Sequence, residues 1–258
     1  MAMHGRPAYS TQELMIVAAA REIADGEVVF VGMRLPIMAF GVARLTHAPN
    51  AVGLFECGIV RHEPADGMLY TMGDPPNQFG AAWLTGTVQL MGLLQGGRVD
   101  IGFIGGAEID RFGNINSSYI GDIGAPAVKL PGSGGAADIA AMAGRLLAIM
   151  NHEKHRLVPK VSYVTSPGYL GGGDGRVACG LRHGGPAAVI TDRAILRPHG
   201  PDLELHLASW HPGESAESVR ANTGWVLQRL PDAHETPPPS AAELEALHRI
   251  DRDGFWRR

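Results

Sequence analysis

The stretch Ala51-Val52-Gly53-Leu54-Phe55-Glu56-Cys57-Gly58 is an apolar run that drives into a carboxylate and stops at a glycine. It reads as a buried strand that delivers Glu56 to its end. A carboxylate in that position is costly unless used. Desolvation disfavours its ionised form and makes it a stronger nucleophile, able to attack a carbonyl. The plainer alternative is a strand-terminal glutamate bonded to a neighbouring turn, and Glu56 alone leaves both readings open.

Outward from this run, strand and helix patterns alternate. Ser10-Thr11-Gln12-Glu13 has the capping-box spacing and predicts a helix running through Ala18-Ala19-Ala20 to Asp25-Gly26. Glu27 to Gly32 predicts a buried strand, and Leu35-Pro36 opens a second helix ending near Thr46. After Glu56, His62 to Gln78 carries the Gly, Pro and Asp density of a loop. Phe79 to Leu94 predicts a helix, and Asp100 to Gly105 another strand. Asp110 to Asn114 is turn chemistry, after which Ile115-Asn116-Ser117-Ser118 pairs back as a short strand. Leu130-Pro131-Gly132-Ser133-Gly134-Gly135-Ala136 is a glycine-rich loop opening onto an apolar helix, Ala137 to Met150. Val161 to Thr165 and Ala187 to Thr191 read as core strands separated by a glycine-rich loop, Gly171 to Gly175. Leu203 to Leu207 alternates as an exposed edge strand, and Ser215 to Ala221 is a short helix. Thr236 to Ser240 ends the compact body, leaving a capped helix, Ala241 to Ile250, to pack outside. No repeat or clear linker divides the 258 residues, so one α/β domain spanning 1–258 is expected.

Composition narrows the function classes. With 45% hydrophobic and 19% charged residues the chain can bury a sizeable core. A net charge of −4 supplies no basic field for nucleic acid or anionic lipid. The two cysteines, Cys57 and Cys179, are too few for a disulfide framework and lack metal-site spacing, which predicts a reduced, cytoplasmic protein with no metal. His152 and His155 lie three apart, but a solvated helix end explains them better than a metal without a third ligand. No apolar h-region opens the chain and no run approaches the roughly 18 residues of a membrane span, so neither secretion nor a membrane is expected.

Three chemistries compete for the glycine-rich loop. Gly132-x-Gly134-x-x-Ala137 matches the relaxed dinucleotide fingerprint, but the loop follows Pro131 and the nearest acid beyond the helix is Glu153. Pro131-Gly132-Ser133-Gly134-Gly135 approaches a serine-hydrolase elbow but misses its first glycine. The third reading joins two features, with Glu56 as nucleophile and the amides of Gly134, Gly135 and Ala136 as an oxyanion hole, worth about 3 kcal/mol to the transition state.

The order of motifs along nearly the whole chain resembles a known family. Tyr9 to Met15, Phe30-Val31-Gly32-x-x-Leu35-Pro36, Ala43-Arg44-Leu45-Thr46, Glu56-Cys57-Gly58, Gly105 to Asn116, Gly132 to Ala136 and Asn222-Thr223-Gly224-Trp225 look like the B subunit of class I CoA-transferases, of the glutaconate and 3-oxoadipate kind. The resemblance implies an open, parallel-rich sheet flanked by helices, working beside a separate A subunit. It implies that Glu56 attacks an acyl-CoA thioester, passes through a mixed anhydride to a glutamyl-CoA thioester, and hands CoA to an acceptor carboxylate. Kinetics are then ping-pong, with no cofactor beyond the CoA thioester substrates. A donor such as succinyl-CoA or acetyl-CoA and a small, dicarboxylic acceptor fit that scheme. Relatives that hydrolyse or decarboxylate an acyl-CoA, and a non-catalytic partner subunit, are the alternatives; a glutamate at position 56 argues for transfer.

Two departures stand out. Cys57 replaces the Ser or Asn of the family motif, putting a weak hydrogen-bonding group beside the reactive carboxylate. Arg182 and His183 stand where related chains have a Gly-Leu-Pro-Gly turn. Arg34, Arg61 and His62, near the motifs, are candidates to bind an acceptor carboxylate, with surface solvation as the alternative.

Overall fold

The computed structural model describes residues 8–181 and 184–258, so Arg182 and His183 lie outside the described residues. Helix α1 (Thr11–Ala20) begins with the expected reciprocal bonds between Ser10 and Glu13, and stops at Ala20, short of Asp25-Gly26. Strands β1 (Val28–Phe30) and β2 (Val52–Phe55) flank α2 (Leu35–Leu45), which carries Pro36 in its first turn. β2 returns through Glu56-Cys57-Gly58 into the antiparallel β3 (Ile59–Arg61).

The loop after β3 ends in one turn of helix, α3 (Pro75–Gln78). Phe79 to Leu94 does not form the single expected helix. It divides into β4 (Trp83–Leu84), an edge strand on β3, and α4 (Thr87–Gln95). The reason is tertiary: the Thr85 amide donates to the Gly58 carbonyl at 2.8 Å, drawing the chain out along the sheet before Gly86 releases it into helix.

β5 (Ile101–Ile104) is followed by β6 (Glu108–Asp110) and β7 (Ile115–Asn116), which pair across the expected turn. β8 (Tyr119–Asp122) and β9 (Ala125–Lys129) make a largely exposed hairpin that leads into the glycine-rich loop. The expected helix from Ala137 to Met150 is corrected: α5 (Ala136–Met142) is short, and β10 (Arg145–Met150) is a strand inside the sheet. A continuous apolar run carries no periodicity to separate buried strand from buried helix. Packing decides. A Cβ on Gly144 would lie 2.7 Å from the Asp100 carbonyl, so the chain turns there, and Arg145 is then tied to Glu27 by a bidentate ion pair at the foot of the sheet.

β11 (Leu157–Val158) completes a small sheet with β6 and β7. Val161 to Thr165 forms no core strand, and Tyr163 and Val164 are exposed while Ser162 and Thr165 bond Glu108 and the Asn116-to-Ser118 turn. Gly171 to Gly175 is a loop closed by α6 (Gly175–Ala178). β12 (Pro186–Thr191), β13 (Ala194–His199) and β14 (Glu204–Trp210) follow, then α7 (Ala216–Ala221), β15 (Arg229–Glu235) and α8 (Ala241–Ile250). β14 alternates in burial as expected but is no edge, because β15 pairs on its outer side.

The main sheet has the order β15-β14-β13-β12-β10-β5-β1-β2-β3-β4, and its centre, β12 to β2, is parallel. This is an open, parallel-rich α/β sheet flanked by helices. One face is covered by α1 and α2, with α8 packed on both; the other by α4, α5 and α7. Among the described residues no helix is long and apolar enough to cross a membrane.

Candidate active site

In an open parallel sheet, loops at the carboxyl ends of the strands gather into one rim, the usual place for a site. Glu56 is the first residue past β2 at that rim. The glycine-rich loop reaches the same rim from the other direction. β10 starts beside Ile101 at the foot of β5, so α5 runs down the sheet and leaves Gly134 and Gly135 at the top. α5 is pressed close: a Cβ on Gly102 would lie 2.3 Å from Cγ2 of Ile139.

The two elements meet. A Cβ placed on Gly135 would lie 3.0 Å from Oε1 and 3.1 Å from Cδ of Glu56, and 2.7 Å from Cε of Met91 on α4. Only a residue without a side chain lets the carboxylate rest against this backbone. Glu56 is half-buried there, while Gly135 is buried. Among the described residues, no hydrogen bond takes up the amides of Gly134 or Gly135. The Ala136 amide is spent: it donates to the Ser133 carbonyl at 2.9 Å. The oxyanion reading therefore narrows from three amides to Gly134 and Gly135.

Gly58 shapes the turn that presents Glu56. Its φ is +101°, and a Cβ there would sit 2.2 Å from the Thr85 carbonyl, so glycine is required twice over. Cys57 is exposed at the turn; its Sγ donates to the Met72 carbonyl at 3.4 Å, tying the turn to the loop after β3. Partial burial, with the Glu56 carboxylate beside it, pushes the Cys57 thiol pKa up.

Other sequence candidates part from the site. Arg61 is buried and donates to the carbonyls of Glu63, Pro64, Asn77 and Phe79, holding the loop after β3 rather than meeting solvent or a substrate. Arg34 lies over the Trp256 ring, and His62 is exposed. His152 is no solvated helix end: it is 1% exposed and bonds Thr191 and Thr223, while His155 is exposed beside Glu153. Ser133 is exposed on a loop that follows a surface hairpin, so neither the buried strand of a dinucleotide fold nor that of a hydrolase elbow precedes it.

Sequence reasoning missed Met91 and the bonds beneath the loop. The polar stretch Asn116-Ser117-Ser118 carried that signal, but it was legible only as a short strand.

The model of the family described as coenzyme A transferase matches residues 12–222. The chain belongs to the coenzyme A transferase family. This transferase-family chain is 41% identical to the B subunit of 3-oxoadipate CoA-transferase of Pseudomonas knackmussii, across 95% of this chain and 94% of that protein. It is 35% identical to the B subunit of glutaconate CoA-transferase of Acidaminococcus fermentans, across 92% and 91%. The crystal structure of glutaconate coenzyme A-transferase from that organism superimposes with a TM-score of 0.90 at 32% identity, covering 98% of this chain and 99% of that one.

Proposed function

We propose that this chain is the B subunit of a two-subunit CoA-transferase that moves CoA from an acyl-CoA to a small dicarboxylic acid through a glutamyl-CoA thioester on Glu56. The observation that carries the reading is the Glu56 carboxylate lying where a Cβ on Gly135 would come within 3.0 Å of it, beside two amides that have no acceptor among the described residues. The resemblance to CoA-transferase B subunits supports the A-type partner and the substrate class.

In the proposed cycle a carboxylate oxygen of Glu56 attacks the thioester carbonyl. The oxyanion that forms is met by the amides of Gly134 and Gly135, and CoA leaves as thiolate. The thiolate then attacks Glu56 Cδ in the mixed anhydride, expelling the donor's acyl group as a free carboxylate and leaving CoA on the protein. An acceptor carboxylate runs the same steps backwards. The carrier is the protein's own side chain, so the cycle uses no cofactor beyond the CoA thioesters, and we place it in the cytoplasm with those substrates.

The test is intact-protein mass spectrometry of this chain with its A partner after brief exposure to succinyl-CoA, acetyl-CoA or another acyl-CoA without acceptor. The expected result is a CoA-sized adduct mapping to Glu56, absent from the E56Q and E56A variants, which also lose transfer. Accumulation of free acid and CoA with no adduct would replace transfer by hydrolysis. Wild-type turnover in E56A would retire Glu56 and leave this chain as a partner that only shapes the site.

A further inference from the structure

We infer that Ser117, set by Asn116 and Thr165, is a positioning residue that clamps the glycine-rich loop at Gly132 and so fixes Gly134 and Gly135 against Glu56. The inference rests on the covalent reading of Glu56 proposed above.

The loop has little of its own to hold it. Gly132 and Gly134 have φ of +103° and +48°, and a Cβ on either would meet nothing within 4 Å. Upstream, the β8–β9 hairpin is exposed along most of its length. A glycine-rich segment in such surroundings samples many backbone states unless it is tied down.

Ser117 ties it from both sides of one residue. The Gly132 amide donates to the Ser117 carbonyl at 2.8 Å, and the Ser117 hydroxyl donates to the Gly132 carbonyl at 2.9 Å. The next bond along the chain, from the Ala136 amide to the Ser133 carbonyl, closes the turn that carries Gly135 to the carboxylate. A fourth bond, from the Leu130 amide to the Ser118 carbonyl, steadies the approach.

The clamp stands on a buried base. The Ser117 amide donates to Thr165 Oγ1 at 3.0 Å, and Thr165 Oγ1 is 2.7 Å from the Ser118 hydroxyl. Asn116, fully buried, donates to Glu108 Oε2 and to the Tyr119 carbonyl, both at 2.7 Å, and accepts the Ser118 amide at 3.0 Å. Glu108 is itself buried and held by the Ser162 amide and hydroxyl at 3.0 and 3.2 Å. Every polar atom of the Asn116 amide is thus used, which sets its orientation and the turn that presents Ser117.

The test uses the complex with the A partner. In S117A the single-turnover rate of adduct formation on Glu56 should fall about 10- to 100-fold, because oxyanion donors act only when aligned. Acyl-CoA binding, measured on the E56Q background to prevent reaction, should stay unchanged, as should the melting curve. S117T, which keeps the hydroxyl, should restore the rate, and T165V should slow it in the same direction. A wild-type adduct rate in S117A, an equal loss of binding and rate, or an S117T rate as low as that of S117A would overturn the inference alone. No adduct on the wild-type protein would overturn the covalent reading and this inference with it.

Discussion

Gly135→Ala asks whether the carboxylate of Glu56 works from the place where it rests. Gly135 has φ −80° and ψ 0°, a backbone that alanine adopts without strain, so the variant adds a methyl group and nothing else. That methyl would lie 2.7 Å from Met91 Cε and 3.0 Å from Glu56 Oε1. Relaxing the carbon pair to ordinary contact moves Met91 by about 0.8 Å, and the flexible thioether can give. The carboxylate must retreat by roughly 0.4 Å to reach normal contact. Overpacking of this kind costs about 1–3 kcal/mol, and the yielding atoms here are side-chain ends, which puts the cost near 1 kcal/mol. In a chain of this size that lowers Tm by about 2–4 °C. Activity should suffer more: a 1 Å misplacement costs about 100-fold, so a shift near half of that costs about 10-fold. Gly92→Ala is the control, since a Cβ there meets nothing within 4 Å. At its exposed position on α4 it should raise stability by about 0.5–1 kcal/mol and leave turnover unchanged. The assay is CoA transfer by the complex beside thermal melting of each variant. Wild-type turnover in Gly135→Ala would refute the placement of Glu56 as the proposed nucleophile. Full recovery in the Met91→Ala/Gly135→Ala double variant would assign the loss to the methionine instead.

Three further outcomes follow from charges and thiols. Burial between Thr191 and Thr223 pushes the His152 pKa down to about 4 against the opposing pull of the Asp192 carboxylate, so the folded chain keeps it neutral while the unfolded chain protonates it near 6.5. Its contribution to stability is whole above pH 6.5 and is lost as pH falls toward 4, about 3 kcal/mol in all; denaturant titrations between pH 7.5 and 4.5 should show the decline, and His152→Asn should reduce it, leaving the part that buried His211 contributes in the same direction. Burial alone would raise the Glu243 pKa, yet bonds from Arg21 and Ser240 outweigh it and hold the group down at about 2, so its contribution is whole above pH 4.5 and is lost progressively as pH falls toward 2. Glu243→Ala should therefore loosen α8 from α1 at neutral pH, costing about 2 kcal/mol, and a melting curve like that of the wild type would contradict this. Cys57, with its thiol pKa pushed up, should alkylate more slowly at pH 8 than free cysteine, and labelling at the free-thiol rate would show that its surroundings do not protect it.

Much of the architecture is written in local pattern. The capping box at Ser10 and the Pro36 helix start are settled within one helical turn, and the apolar runs of β1, β2 and β5 announce their burial by composition, although their ladder bonds come from strands distant in sequence. The end of β2 before Glu56 and the positive φ of Gly58 belong to the same class, because strand end and turn are local, whereas the close approach of the Thr85 carbonyl to Gly58 is not. Arg145 to Met150 was not legible in this way. Its six residues suit a buried helix or a buried strand equally, and the gap between β5 and β12 chose the strand. Phe79 to Leu94 broke for a similar reason, at a bond to Gly58 that no window of sequence contains. The candidate site divides along the same line. Glu56 and the glycine-rich loop were each visible as local chemistry, whereas the contact between Glu56 and Gly135, the loss of the Ala136 amide to Ser133, and the grip of Ser117 on Gly132 join residues distant in sequence or depend on the loop's path. By itself the sequence determined which residue types stand at strand ends and turns, since those are matters of local sterics and burial. Only the tertiary structure decided which of them touch, because that follows from how the parallel strands stack and which rim their ends share.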